Sequence, residues 1–402
     1  MQALKVLASA VLLTACSGCE GQIIGPPGGQ PPTRASWLSY KYSASCQGCP
    51  ELTDPVEENA YYCAIGVTGG SATSMNALDC TDPQLPKLTF TKWKNDNNLA
   101  GAPDARAIYG NALDLRIGRD MNCVKSANGN VACYVTNYGP PPFLGDPDNK
   151  ENPDWIGANT DFPGFTQAIE DATTGHAPFA TVAMVYNATA ASSHSANAVT
   201  FYVFKANGDL LFSPGLDGEG GKTSPRMCMA CHGGTYDSTT HSVTGAQFLP
   251  FDILAFQYSS KPGFTLEDQQ EAYRKLNVLV KDTHPAPAIE DFIDGTYHNA
   301  VNVAGTVADG NYVPAGWAGQ EGLYNGVYRQ YCRMCHLASS TPFSTFSEFQ
   351  TRAVLIENKV CQSTDMPNAQ VPYVRFWQDF LAQIELRRFL SGEGLTNLHK
   401  CN

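Results

Sequence analysis

The sequence predicts an α+β fold with strands first and helices second. Three observations carry this. Phe179-Ala-Thr-Val-Ala-Met-Val-Tyr186 and Val199-Thr-Phe-Tyr-Val-Phe204 are short β-branched and aromatic runs, and the second meets Leu210-Leu211-Phe212 across Asn207-Gly208, a tight-hairpin signal. A second Asn-Gly turn, Asn128-Gly129, lies inside VKSANGNVACYV. Later in the chain the period changes. Thr265-Leu-Glu-Asp268 is a capping-box start, with Leu276, Leu279 and Val280 on one helical face. Phe376, Trp377, Phe380, Leu381 and Ile384 recur at helical spacing between 371 and 390. Residues 36–220 are therefore expected to form an antiparallel β-rich module, a sandwich or barrel-like unit. Its last strand leads into a segment over 221–310, and an α-helical unit over 311–402 follows. No internal repeat is evident.

Composition sets the class. The 402 residues are 43% hydrophobic and 16% charged, so there is ample material for a core and no signature of disorder. The net charge of −12 argues against nucleic acid, which requires a basic face. An acidic surface suits protein partners of neutral or basic character.

The first residues read as an export signal. Lys5 precedes an apolar stretch from Val6 to Leu13, and small residues end at Cys16. Leu13-Thr14-Ala15-Cys16 resembles the lipobox of bacterial lipoproteins. That likeness implies a signal peptide over 1–15 and a lipid on Cys16 that anchors the chain to a membrane; Cys19 offers a second frame. Ser17, where inner-membrane retention uses Asp, implies the outer membrane. Residues 16–35 contain GPPGGQPP and read as a tether. The expected location is the cell envelope, as an outer-membrane lipoprotein facing the periplasm or the cell surface. No later segment is apolar enough to span a bilayer.

Two pentapeptides carry the chemistry: Cys228-Met229-Ala230-Cys231-His232 and Cys332-Arg333-Met334-Cys335-His336. Two thiols three positions apart can add to the two vinyl groups of one porphyrin, and the adjacent histidine then ligates the iron. Two copies in a chain with eight histidines point to two covalently attached haem c groups. They would be held by Cys228, Cys231, Cys332 and Cys335, with His232 and His336 on the irons. Cys46-Gln-Gly-Cys49-Pro50 has the spacing without the histidine and reads as disulfide material.

The second motif is followed by an amphipathic stretch from Phe343 to Glu357, by Met366-Pro367, and by the helical stretch through Leu390. That order resembles the cytochrome c fold, which implies Met366 as the distal ligand of the second haem. For the first haem no methionine occurs between Met229 and Met334. Candidates are Met121, Met184, Met75, His176 and His194 upstream and His241, His284 and His298 downstream. Met121, in Gly118-Arg-Asp-Met121-Asn-Cys123, is preferred, then His298; a five-coordinate iron is the alternative.

The segments GRDMNC…VACYVTNYG, …CMACHGG and YCRMCH…MPNAQVPYVRFW are similar to those of a poorly characterised family of proteobacterial cytochrome c-like envelope proteins. The likeness implies a redox protein in which the β-rich part belongs to the haem unit. It supports a role for the segment around Met121.

Of 14 cysteines, four are assigned to haem and one to lipid. Cys123–Cys133 and Cys361–Cys401 are the expected disulfides. Cys46, Cys49, Cys63 and Cys80 form two more with pairing open, and Cys19 is left over. Disulfides fit an oxidising compartment. The expected function is electron transfer between redox partner proteins in the envelope or outside the cell, and the chain is read as a carrier more than as a catalyst. The alternative is a dihaem redox enzyme of peroxidase or oxygenase type with an open first haem. A third possibility makes the β-rich module a binding domain with the haems as redox output.

Overall fold

A computed structural model describes residues 54–67, 87–139, 163–214, 222–339, 341–363 and 368–395. The fold is α+β, built on one antiparallel sheet of six strands.

Helix α1 spans Pro55–Ala64; Asp54 caps it by accepting from the Val56 and Glu57 amides, and Pro55 supplies the fixed φ of a first turn. Helix α2 spans Phe90–Asp96. Strands β1 (Ala105–Asn111), β2 (Gly118–Lys125) and β3 (Val131–Tyr138) form a meander. The β2–β3 turn places Gly129 at φ +86°, a conformation only glycine adopts without strain. Helix α3 (Pro163–Thr174) precedes β4 (Pro178–Tyr186), and a short helix α4 (Ala188–Ser192) leads to β5 (Val199–Lys205). Leu210 then bridges back to Phe204, the small hairpin predicted at Asn207-Gly208.

Beyond the first motif, β6 (Thr235–Asp237) and β7 (Ser242–Thr244) pair as a ribbon, and β8 (Phe256–Gln257) returns to the large sheet beside β1. With only two residues, β8 cannot serve all of β1. Gln269 completes the ladder: its Oε1 accepts from the Ile108 amide at 2.6 Å, and its Nε2 donates to the Ile108 carbonyl at 2.8 Å. Gln269 is held there by α6 (Leu266–Lys281), whose Thr265/Asp268 capping box forms as predicted. Asn277 on the same helix binds both backbone groups of Phe251. Helix α7 spans Pro287–Thr296.

Helices cover both faces of this sheet, so the described residues form helix–sheet–helix layers and not two packed sheets. The first face meets α3: Gly118 lies against the Ala168 backbone and Gly110 against Ile169. The other face joins a large core that includes Tyr109, Tyr273, Leu276, Met227 and Cys228. A second core gathers Trp317, Tyr324, Tyr328, Phe343, Phe349, Phe376, Trp377 and Leu386. It is built by residues 317–328 with α9 (Phe346–Thr351), α10 (Gln370–Gln378) and α11 (Phe380–Gly392), while α8 (Arg333–His336) lies between them in sequence. The stretch read as one helix from 371 to 390 breaks at Asp379, whose side chain accepts from the Leu381 and Ala382 amides and starts α11.

Of the expected disulfides, Cys123–Cys133 is formed across the β2–β3 pair. Cys63 and Cys361 are also disulfide-bonded. Cys16, Cys19, Cys46, Cys49, Cys80 and Cys401 lie outside the described residues, as do the signal and tether segments. Among the described residues no helix is long and apolar enough to cross a membrane.

Candidate functional site

Both pentapeptides are helical. The first occupies α5 (Arg226–His232) and the second lies in α8 with Cys332 at its N-terminal edge. A helical turn brings positions i and i+3 to one side, so each pair of thiols faces one way and the histidine follows on the next residue.

All four motif cysteines are free thiols, whereas the other described cysteines are oxidised. Burial pushes the Cys228 and Cys332 thiols up to about 12. Cys335 is raised well above its ordinary value, first by its contact with Cys231 and then by burial. Cys228, Cys332 and Cys335 are thus protonated thiols and not exposed thiolates.

The histidines are fixed in matching ways. His232 Nδ1 lies 2.8 Å from the Gln247 carbonyl, and His336 Nδ1 lies 2.6 Å from the Thr341 carbonyl. A carbonyl only accepts, so Nδ1 carries the proton in both rings and Nε2 presents its lone pair. This is the tautomer an iron ligand needs, with the orienting bond that such ligands characteristically make. Burial lowers His232 to about 4, with Arg119 adding to the effect and the Gln247 bond opposing it. It lowers His336 as well. Each ring is further held by an aromatic neighbour: His336 stacks on Phe343 at 4.4 Å between centroids, and His232 lies 5.6 Å from Phe201.

The two motifs, 104 residues apart, meet. Cys231 Sγ and Cys335 Sγ are 3.1 Å apart. Gly233 makes the approach possible: it ends α5 at φ +68° and ψ −160°, and a Cβ there would stand 1.9 Å from the Ala338 carbonyl oxygen. Arg333, inside the second motif, is buried. It donates to Tyr324 Oη at 2.6 Å, pairs with Asp252 and lies over the Phe292 ring. Burial opposes its charge, but Asp252 and Tyr324 hold its pKa above the ordinary value.

The distal candidates fare unevenly. Met366 lies outside the described residues; two positions later, Asn368 donates to the Met227 carbonyl at 3.1 Å, which ties this segment to α5. Met121 is partly buried on β2 and belongs to the rim of the large core. Register places it on the sheet face that carries Phe201: Cys123, Cys133, Met184 and Phe201 form one cross-strand row, and Met121 stands one pleat along from Cys123. It is three strands from Phe201, about 14 Å at a typical strand spacing. Met184 is buried and directly paired with Phe201, hence closer by register to His232. The cross-strand alignment that promotes Met184 has no sequence signal of its own.

The histidine candidates lie elsewhere. His298 is exposed and faces Asp309 at 3.6 Å. His241 bonds Tyr236, while His176, His194 and His284 are exposed. Met75 and His399 lie outside the described residues. Among the described residues no three His, Cys, Asp or Glu side chains converge as a metal-ion cluster would; a haem iron needs only one or two protein ligands.

No family model, curated protein or solved structure matches this chain.

Proposed function

We propose that the chain is an exported dihaem c-type cytochrome that transfers electrons between envelope or extracellular redox partners. Cys228 and Cys231 would hold one haem with His232 on its iron; Cys332 and Cys335 would hold the other with His336 on its iron. Bound haem supplies a one-electron Fe(III)/Fe(II) couple. The protein supplies attachment, the proximal imidazole and a dry environment that tunes the potential.

The observation that carries the reading is the shared histidine geometry. In each motif the residue after the second cysteine is half-buried, carries its proton on Nδ1 against a backbone carbonyl, and leaves Nε2 free. The four free thiols in an otherwise oxidised set of described cysteines support it. Met366 is proposed as distal ligand of the second haem in a cytochrome c-like helical region, and Met121 or Met184 for the first. The lipid anchor at Cys16 and the outer-membrane location belong to the same proposal and rest on the sequence.

The absorption spectrum with and without carbon monoxide or peroxide separates a carrier from an enzyme. Two low-spin haems that ignore both ligands are expected. A high-spin fraction that binds carbon monoxide would instead make this a dihaem redox enzyme with an open site.

A further inference from the structure

We infer, resting on the haem reading above, that the two attachment sites are built as one electronic unit, with Cys231 and Cys335 holding their haems edge to edge. A partner docked at either site would thereby draw on both.

The inner cysteine of each motif is the one that meets its counterpart, at 3.1 Å between sulfurs. Thioether formation replaces the S–H hydrogen with a carbon of the porphyrin substituent and leaves the sulfur where the backbone holds it. Two sulfurs this close would hold the two porphyrin edges within a few bond lengths of each other. Tunnelling falls off exponentially with edge separation, so an electron at one site is shared with the other. The exchange turns Fe(II)/Fe(III) into Fe(III)/Fe(II), with no bond made or broken and no proton moved.

The juxtaposition is enforced from several sides. Gly233 and the Ala338 carbonyl bring the segments after the two histidines together, at a distance no other residue would permit. Arg333 of the second motif is anchored to Asp252, which lies between the first motif and β8. Arg375 Nη1 donates to both the Leu113 and the Gln330 carbonyls at 3.2 Å, which ties the loop after β1 to the helical residues before Cys332. Asn368 fastens the segment before α10 to Met227.

The test is electron paramagnetic resonance of purified holoprotein, with covalent haem counted on the same sample. In the fully oxidised chain the ferric signals should be broadened by mutual coupling. They should differ from the sum of the two single-haem variants, Cys228→Ala/Cys231→Ala and Cys332→Ala/Cys335→Ala. Should a variant fail to fold, wild type alone decides: after reduction by one electron per chain, the remaining ferric signal should sharpen as its neighbour becomes spin-paired. Two covalent haems with additive spectra, or with a line shape indifferent to partial reduction, would overturn the inference and leave the haem reading intact. No covalent haem, or a Cys231–Cys335 disulfide found by peptide mapping, would overturn both.

Discussion

Glu58 lets the account be tested without reference to any cofactor. It is fully buried on α1, where its carboxyl accepts from the Ser213 and Ser224 amides, each at 2.8 Å. It thus clamps the segment that enters the first motif. Burial pushes its pKa from 4.5 to about 7, while the bonds from Ser224 and Ser213 pull the other way. The neighbours that feel its charge, Tyr62 and Cys228, are themselves raised by burial and stay neutral over this range. The sign follows from proton counting. Between pH 4.5 and 7 the folded chain holds a proton here that the unfolded chain has released, so stability falls as pH rises. At about 1.36 kcal/mol per pH unit the loss comes to about 3 kcal/mol, complete above pH 7. In Glu58→Gln the site no longer titrates. The variant carries a fixed offset, because its amide NH₂ must face one of two amide donors, but that offset is independent of pH. Thermal or denaturant unfolding of both proteins from pH 4 to 8 should show wild type losing about 3 kcal/mol relative to the variant. Parallel curves would refute the buried, protonated Glu58.

Four further outcomes are expected. Arg333→Met leaves Asp252 without its partner and should lower stability by about 3–5 kcal/mol; Asp252→Asn in the same chain should recover part of it, as unfolding curves would show. Gly233→Ala demands a left-handed conformation and a clash with the Ala338 backbone, so it should cost more than the roughly 1–3 kcal/mol of backbone strain alone. If Met121 ligates the first iron, Met121→Ala turns one haem high-spin and Met184→Ala does not; the reverse result assigns Met184. Replacing Met366 should turn the second haem high-spin and open it to carbon monoxide.

Local signals carried far in this chain. The Thr265/Asp268 capping box, the Asn128-Gly129 and Asn207-Gly208 turns and the Cys123–Cys133 bridge all depend on residues no more than 10 positions apart, and the structure has them. Helix α3 has a local signal of its own: Phe165, Ala168, Ile169 and Ala172 repeat at i, i+3, i+4 and i+7, and all four are buried. Among the described residues one sheet stands where a sandwich or barrel-like unit is expected, for a different reason. Strand β1 buries six of its seven residues, all but Arg106. Such a run fits a second sheet or covering helices equally well. Strand β8 has two residues and is defined by its partner, so no window of sequence could reveal it. The motifs were plain, but their meeting was not: nothing near Cys231 refers to Cys335, and the contact exists only because Gly233, Arg333 and Arg375 close the fold around it.

The central claim is covalent haem at both motifs, and its most direct test is haem stoichiometry. Protein purified from a haem-attaching host should show, by intact mass and by haem absorbance after denaturation, two haems per chain that survive unfolding. One should be lost in Cys228→Ala/Cys231→Ala and the other in Cys332→Ala/Cys335→Ala. A chain with the mass of the polypeptide alone, or haem that departs on denaturation, would contradict the account.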